Sequence, residues 1–264
     1  MELTVAAAQL DLALGDREAN LEQARRAAEQ AAAAGAQLLI LPELWGSGYD
    51  LERAAELGDA LGEGLFAELA GLARRHRLAI CGSLLERRAD GVYNTATLHG
   101  QDGALLGAYS KTHLIGLMDE DRFLRPGGEA PVIPSPWGPA AQAICYDLRF
   151  PELFRRYALG GARLILLPAE WPERRIEHWR TLIRARAIEN QCFVVACNRV
   201  GSDRANRFGG RSAVIDPWGA ALAEAGDEPE LLLATLDFAL ADQARSFLPV
   251  FADRRPEVYG SLGE

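Results

Sequence analysis

Cysteine and histidine are scarce in this 264-residue chain, with four of each. No two cysteines form a CxxC pair, which argues against zinc-ribbon and thioredoxin-type arrangements. Cys81, Cys145, Cys192 and Cys197 are expected to be free thiols of a reducing compartment. Long apolar runs are missing, and none approaches the roughly 18–20 residues that span a bilayer. Positive charge is in deficit: 28 Lys and Arg stand against 37 Asp and Glu, for a net charge of −9. Neither nucleic acid nor an anionic membrane is therefore expected as a partner. The amino end, Met-Glu-Leu-Thr-Val, has no basic stretch before an apolar core, which argues against a secretory signal. These absences together predict a cytoplasmic protein. There is no P-loop and no GxGxxG at a strand–helix turn, so a nucleotide-binding reading lacks its motif.

What is present fits a soluble globular protein: 49% hydrophobic and 25% charged residues. The length suits one large domain or two small ones. A β-like run, Leu3–Leu10, precedes an Ala-rich helix over Asn20–Ala34, with Asp16 or Asn20 as cap and Gly35 as stop. Ala36–Glu43 reads as a buried strand and Gly62–His76 as a helix. Three β-like runs follow between the turn signals ADG and QDG, a meander ending at Lys111. Further along, Ala141–Cys145 reads as a strand, Pro151–Leu159 as a helix, Leu164–Leu167 as a strand and Arg174–Asn190 as a long helix. The remaining strands are expected near Phe193, Ser212, Ala220 and Leu231. Cys192 and Cys197 bracket FVVA on opposite faces and read as core residues. No linker or repeat interrupts the pattern. The expectation is one α/β domain over 1–264, with a mixed sheet or two sheets covered by helices.

Three polar residues stand at the carboxyl ends of β-like runs. Glu43 ends LLILPE, Lys111 ends ALLGAYSK and Cys145 ends AAQAIC. Ligands of open α/β sheets bind beyond the carboxyl ends of strands. The three ends are thus candidates to bring a carboxylate, an ammonium and a thiol together. Cysteine attacks as its thiolate, a form favoured by a nearby cation or helix N-terminus. Lys111 and the helix expected after Cys145 are candidates for that effect. A carboxylate such as Glu43 can take the thiol proton and later protonate a leaving amine. Lys111 and the N–H of Tyr146 are candidate donors to an oxyanion. Singly, each residue has an ordinary structural alternative: a core cysteine, a solvated strand end, a surface lysine. His113 and His178 sit in no recognisable cysteine–histidine pattern.

The segments LLILPEL, YSKTHL and ICYDLRFPE resemble, in order and spacing, the three catalytic blocks of the nitrilase, or carbon–nitrogen hydrolase, superfamily. RARAIENQCFVVACNRVG and RSAVIDPWG are similar to two further blocks of its amidase branches. The likeness runs from Met1 to about Tyr259. It implies that Glu43 is a general base, that Lys111 stabilises a tetrahedral intermediate and that Cys145 is the nucleophile. A second glutamate, implied shortly after the lysine block, falls at Glu120 in MDEDRFLRPG, with Asp119 and Asp121 beside it. The implied fold is a four-layer α-β-β-α sandwich with mixed sheets. The implied assembly is a homodimer or higher homo-oligomer whose helices meet across subunits. No metal or organic cofactor is implied.

CYDLRFPE is similar to the amidase branches, whereas nitrilases tend to carry Trp-Glu after the cysteine. AEWPERRIEHWRTLIRARAIENQ resembles the omega-amidase branch. This implies hydrolysis of the terminal amide of 2-oxoglutaramate, or a related 2-oxo acid amide, to acid and ammonia through a cysteine thioester. A carboxylate substrate needs a cationic partner, and Arg149 is the candidate, because a guanidinium grips a carboxylate with two bonds. Its alternative is an internal salt bridge to Glu152 or Asp147. Trp171 is a candidate pocket wall. The other functions in view are an amidohydrolase acting on N-carbamoyl amino acids, deaminated glutathione or aliphatic amides, and a non-catalytic oligomeric binding protein.

Overall fold

The computed structural model describes residues 1–260, so the end of the expected 1–264 unit lies outside the described residues. Strand β1 (Glu2–Gln9) leads into the helix Arg17–Ala33. Asp16 caps that helix, its carboxylate accepting the Ala19 N–H at 3.0 Å. Asn20, the other expected cap, is buried within the helix and bonds the Ala13 backbone instead. Gly35 turns the chain at φ +78°, a conformation open to glycine at little cost. Strand β2 (Leu38–Ile40) then enters between β1 and β3 (Ala79–Arg88), parallel to both. β3, β4 (Gly91–His99) and β5 (Leu105–Ser110) form the antiparallel meander.

A second sheet starts with β6 (Val132–Ile133), followed by β7 (Ala140–Gln142), β8 (Leu164–Ala169) and β9 (Phe193–Asn198), the last three parallel. β10 (Val200–Ser202) and β11 (Arg207–Gly209) form a separate ribbon. β12 (Ala213–Ile215) and β13 (Ala221–Glu224) finish the second sheet, and β14 (Glu230–Asp237) returns to pair along all of β1. The strand orders are β14-β1-β2-β3-β4-β5 and β13-β12-β9-β8-β7-β6.

Period-two alternation explains how these sheets stack. In β1, Leu3, Val5 and Ala7 face the second sheet, where they meet Leu164, Leu166, Phe193 and Val195. Ala6 and Ala8 point the other way, onto Leu21, Ala24 and Ala28 of the first helix and Phe66 and Leu69 of the helix Gly64–His76. On the second sheet, Ile165, Leu167, Val194 and Ala196 face outward onto Phe154, Trp179 and Ile183 of the helices Pro151–Leu159 and Ile176–Asn190. Both sheets are thus buried on both faces, which gives the four-layer α-β-β-α sandwich. Burying each Leu, Ile, Val or Phe contributes about 1.5–3 kcal/mol, so these three interlayer cores hold the sheet ends rigidly. Cys192 and Cys197 fall in different cores, as their spacing predicts. The long helix starts at Ile176 rather than Arg174, after a 3-10 turn over Glu173–Arg175. Among the described residues, no helix is long and apolar enough to cross a membrane.

Candidate active site

Cys145 is not the last residue of a strand, as its apolar run suggested. β7 ends at Gln142, and Ala143 and Ile144 carry the chain to a 3-10 turn over Cys145–Arg149. Cys145 itself has φ +44°, a left-handed conformation that costs a side-chain-bearing residue energy. The turn is held by Asp147, whose N–H donates to the Ile144 carbonyl at 3.0 Å and whose carboxylate accepts the Ile144 N–H at 2.9 Å. Pro151 then opens the following helix in its first turn, where its missing N–H costs nothing. The result is a sharp bend that sets the thiol at the rim of the sheet, 4% exposed.

Glu43 lies beyond β2, and the next residue, Leu44, is also left-handed at φ +43°. Its carboxylate is fully buried and surrounded by donors. Oε1 accepts from Lys111 Nζ at 2.8 Å and from Asn94 Nδ2 at 2.8 Å; Oε2 accepts the Glu170 N–H at 2.8 Å. Lys111 follows β5 directly, its N–H bonded to the Asn94 carbonyl. Its ammonium is buried between Glu43 and Glu120, 2.6 Å from the latter. It is the only lysine in the chain. Glu120 also accepts the Ile115 N–H at 2.8 Å and a short bond from the Tyr49 hydroxyl. Its neighbour Asp119 instead pairs with exposed Arg122.

The electrostatics follow from this packing. Burial works against the Lys111 ammonium, but Glu120 and Glu43 outweigh it and hold the group charged well above its ordinary range. Burial and the same two carboxylates push the Tyr49 hydroxyl up, so it stays a donor. Burial raises Glu120 against the pull of Lys111. The thiol corrects one expectation. Lys111 was expected to favour the thiolate; instead burial first, then Glu43, pushes Cys145 well above the ordinary thiol range. The single ammonium is already balanced by two carboxylates, so it has little charge left for a thiolate. The resting site therefore holds a thiol close to Glu43 rather than a thiolate, so an attack through this sulfur would need a base.

Arg149 makes no salt bridge to Glu152 or Asp147. Its guanidinium lies 4.7 Å from the Trp171 ring centroid and 6.0 Å from that of Tyr146, with Nη2 3.3 Å from His178 Nδ1. Trp171 is buried, and its Nε1–H donates to the Arg175 carbonyl at 2.8 Å. Burial, then Arg174 and Arg149, depress the Arg175 guanidinium. Neither Arg149 nor Arg175 has a carboxylate partner among the described residues. His113 bonds Asp147 and not Cys145. A cavity of about 330 Å³ opens beside Tyr49, lined by Leu14, Asp50, Leu117, Phe123 and Arg174.

Sequence reasoning missed Tyr49, Asn94 and Glu170. Tyr49 sits in a loop and Asn94 in mid-strand, where no periodic signal marks a polar residue as functional. Glu170 follows β8 as Glu43 follows β2, so the strand-end rule that singled out Glu43 also covered it. Its carboxylate bonds fully buried Arg199 at 2.8 Å, and its Oε1 has no hydrogen-bond partner among the described residues.

Residues 4–246 match the family model described as "Carbon-nitrogen hydrolase". A 2-oxoglutaramate amidase of Bacillus subtilis (strain 168) is 40% identical over 260 residues, covering 98% of this chain and all of that protein. A deaminated glutathione amidase of Mus musculus is 36% identical over 267 residues, covering 94% of this chain and 82% of that one. Among solved structures, a CN-hydrolase superfamily protein from Xanthomonas campestris, with an arsenic adduct in its active site, superposes at a TM-score of 0.91 with 31% identity, covering 97% of this chain and 98% of that one. With two facing sheets, a buried carboxylate–ammonium–carboxylate cluster and these full-length likenesses, the chain belongs to the carbon–nitrogen hydrolase family.

Proposed function

We propose that this protein hydrolyses the terminal amide of 2-oxoglutaramate, or a closely related 2-oxo acid amide, with Cys145 as nucleophile. The observation that carries the chemistry is the buried Glu43–Lys111–Glu120 cluster, whose charges act on the left-handed Cys145. Full-length likeness to the Bacillus amidase supports the substrate. Cys145 Sγ attacks the amide carbon while Glu43 takes the thiol proton, as a buried thiol beside a carboxylate demands. The carbonyl oxygen becomes an oxyanion near Lys111 and the Tyr146 N–H, each such donor supplying about 3 kcal/mol. Glu43 passes its proton to the departing nitrogen, ammonia leaves, and a thioester remains. Glu43 then takes a proton from water, whose oxygen attacks the thioester; the acid departs and the thiol is restored. Glu120 and Asn94 keep Lys111 and Glu43 in place.

Arg149, without a carboxylate partner among the described residues and set over Trp171, is assigned to the substrate carboxylate. The cavity beside Tyr49 is the proposed route in. Two copies are proposed to associate through an exposed apolar face: Ile188, Trp218, Phe247 and Leu248, with the Trp218 and Phe247 rings edge to face at 5.8 Å. The four buried, unpaired cysteines support a cytoplasmic location.

The test is ammonia release from 2-oxoglutaramate beside glutamine, an N-carbamoyl amino acid, a simple nitrile and deaminated glutathione, with Cys145→Ala as control. A preference for 2-oxoglutaramate that Cys145→Ala abolishes is expected. Preference for deaminated glutathione would keep the chemistry and replace the substrate. Full activity of Cys145→Ala would end the mechanism.

A further inference from the structure

Asp147 is fully buried, yet among the described residues no arginine or lysine neutralises it. Four donors fill its two oxygens instead. Oδ1 accepts the His113 N–H at 3.0 Å and lies 2.7 Å from His113 Nδ1; Oδ2 accepts the Tyr109 hydroxyl at 2.8 Å and the Ile144 N–H at 2.9 Å. Three sets of contacts hold these donors firmly. The His113 ring lies flat on Phe150, with centroids 3.6 Å apart and planes within 6°. The Tyr109 hydroxyl is 3.0 Å from Thr112 Oγ1 and accepts the Thr112 N–H. The Tyr109 ring meets Tyr157 edge to face.

The positions of the donors in the chain are what matter. Tyr109 and His113 stand two residues either side of Lys111. Ile144 stands immediately before Cys145, and Asp147 two residues after it. One carboxylate therefore ties both flanks of the lysine to both flanks of the cysteine, across the gap between β5 and β7, which belong to different sheets. We propose that Asp147 is a positioning residue that holds the Lys111 arm and the Cys145 bend in register, and so sets where the thiol stands relative to the ammonium. It touches no reacting atom. Buried polar groups with every partner satisfied specify one arrangement, and a misplacement of about 1 Å at a reacting group costs about 100-fold.

Asparagine is the discriminating substitution. It keeps the shape, but one of its two terminal atoms is an NH₂ group that cannot accept. Turned one way it strands the Ile144 N–H, and turned the other way the His113 N–H. The tyrosine hydroxyl can re-aim at Thr112, but a backbone N–H in a fixed turn cannot move. Either orientation thus loosens one of the two catalytic segments.

The inference rests on Cys145 being the nucleophile, so Cys145→Ala is measured alongside. With folded Asp147→Asn, kcat for 2-oxoglutaramate is expected to fall about 100-fold with KM little changed. The second-order rate of Cys145 alkylation by iodoacetamide is expected to change with it, measured below the melting transition. A purely stabilising role would lower Tm and leave both rates at parental values, and that result overturns the proposal. Should Asp147→Asn not fold, the Tyr109→Phe/His113→Phe double variant decides. It removes both side-chain donors and keeps both rings; a lowered kcat at parental KM supports the proposal, and parental kcat overturns it. Full activity of Cys145→Ala would instead remove the reading on which it rests.

Discussion

Replacing Lys111 with methionine tests the charge balance of the buried cluster. Methionine fills nearly the same volume, so the site loses charge rather than packing. The ammonium holds Glu43 at 2.8 Å and Glu120 at 2.6 Å, and all three side chains are buried. Without it the two carboxylates confront each other, and like charges about 5 Å apart repel by about 3 kcal/mol at an effective dielectric constant of about 20. At about 1.4 kcal/mol per pH unit, that is roughly two units of added proton affinity, shared by the pair. The pair of the variant then keeps a proton that the parent gives up, and a shared proton leaves the thiol with less of an acceptor.

Two signatures separate this from general damage. Loss of an oxyanion donor lowers kcat about 10²–10³-fold at every pH. Independently, the acid limb of the kcat/KM profile moves up by about two pH units, so part of the loss is recovered in alkaline buffer. The assay is ammonia release from 2-oxoglutaramate between pH 5 and 10, with circular dichroism to confirm the fold. A lowered kcat with an unmoved acid limb would refute the charge-balance reasoning. An unchanged kcat would refute the role of Lys111 altogether.

Glu170 gives a pH prediction. Burial pushes it from 4.5 up to about 8 against the bond from Arg199. Its contribution to stability is complete below about pH 4.5 and lost as pH rises through about 8, because the folded state binds the extra proton. The Tm of Glu170→Gln relative to the parent should therefore rise from pH 5 to pH 9; a constant difference refutes this. Arg149→Ala should raise KM for 2-oxoglutaramate at least tenfold, about 1.4 kcal/mol, while leaving turnover of a neutral aliphatic amide unchanged, and an equal effect on both substrates would count against a carboxylate contact. Trp218→Glu should convert the proposed dimer to monomers in light scattering; a mass equal to the parent's would overturn the proposed interface. Iodoacetamide should modify Cys145 alone in the native protein, protected by substrate, since Cys81, Cys192 and Cys197 have no exposed surface whereas Cys145 keeps 4% at the rim of the sheet; mass spectrometry showing another thiol modified first would contradict it.

The helices and most strands were legible because each apolar period belongs to one element, as at Pro151–Leu159, which the structure reproduces residue for residue. The sheet assignment was not legible from pattern alone. Runs such as LLI in β2 and LILLPA in β8 are buried on both faces, so they carry no alternation to say which sheet they join; the family resemblance supplied the four layers. At the site, Glu43, Lys111 and Cys145 were visible as polar residues closing apolar runs. The state of the thiol was not. A sequence shows that a cation and a cysteine exist, but not that two carboxylates reach the same nitrogen first. Asp147 was visible only as a possible partner for Arg149, because its donors Tyr109 and His113 come from a segment more than 30 residues away in the chain.

The one lysine is a signal in the sequence separate from the strand ends and the motifs. Among 28 basic residues of this chain, every one but Lys111 is arginine. On a surface either cation serves, so surface positions say little about which is required. Inside the cluster the two differ. A compact ammonium offers three donors from one nitrogen, and here they reach Glu43 at 2.8 Å, Glu120 at 2.6 Å and the Tyr49 hydroxyl at 3.4 Å. A guanidinium is planar and larger, and spreads its donors over a rigid fork. It would overfill a position with no exposed surface, at a cost of about 1–3 kcal/mol, and would hold its charge away from the point between the carboxylates. Lysine therefore persists where geometry demands a point charge, in a chain that otherwise uses arginine throughout, and that contrast marks position 111 independently of any motif.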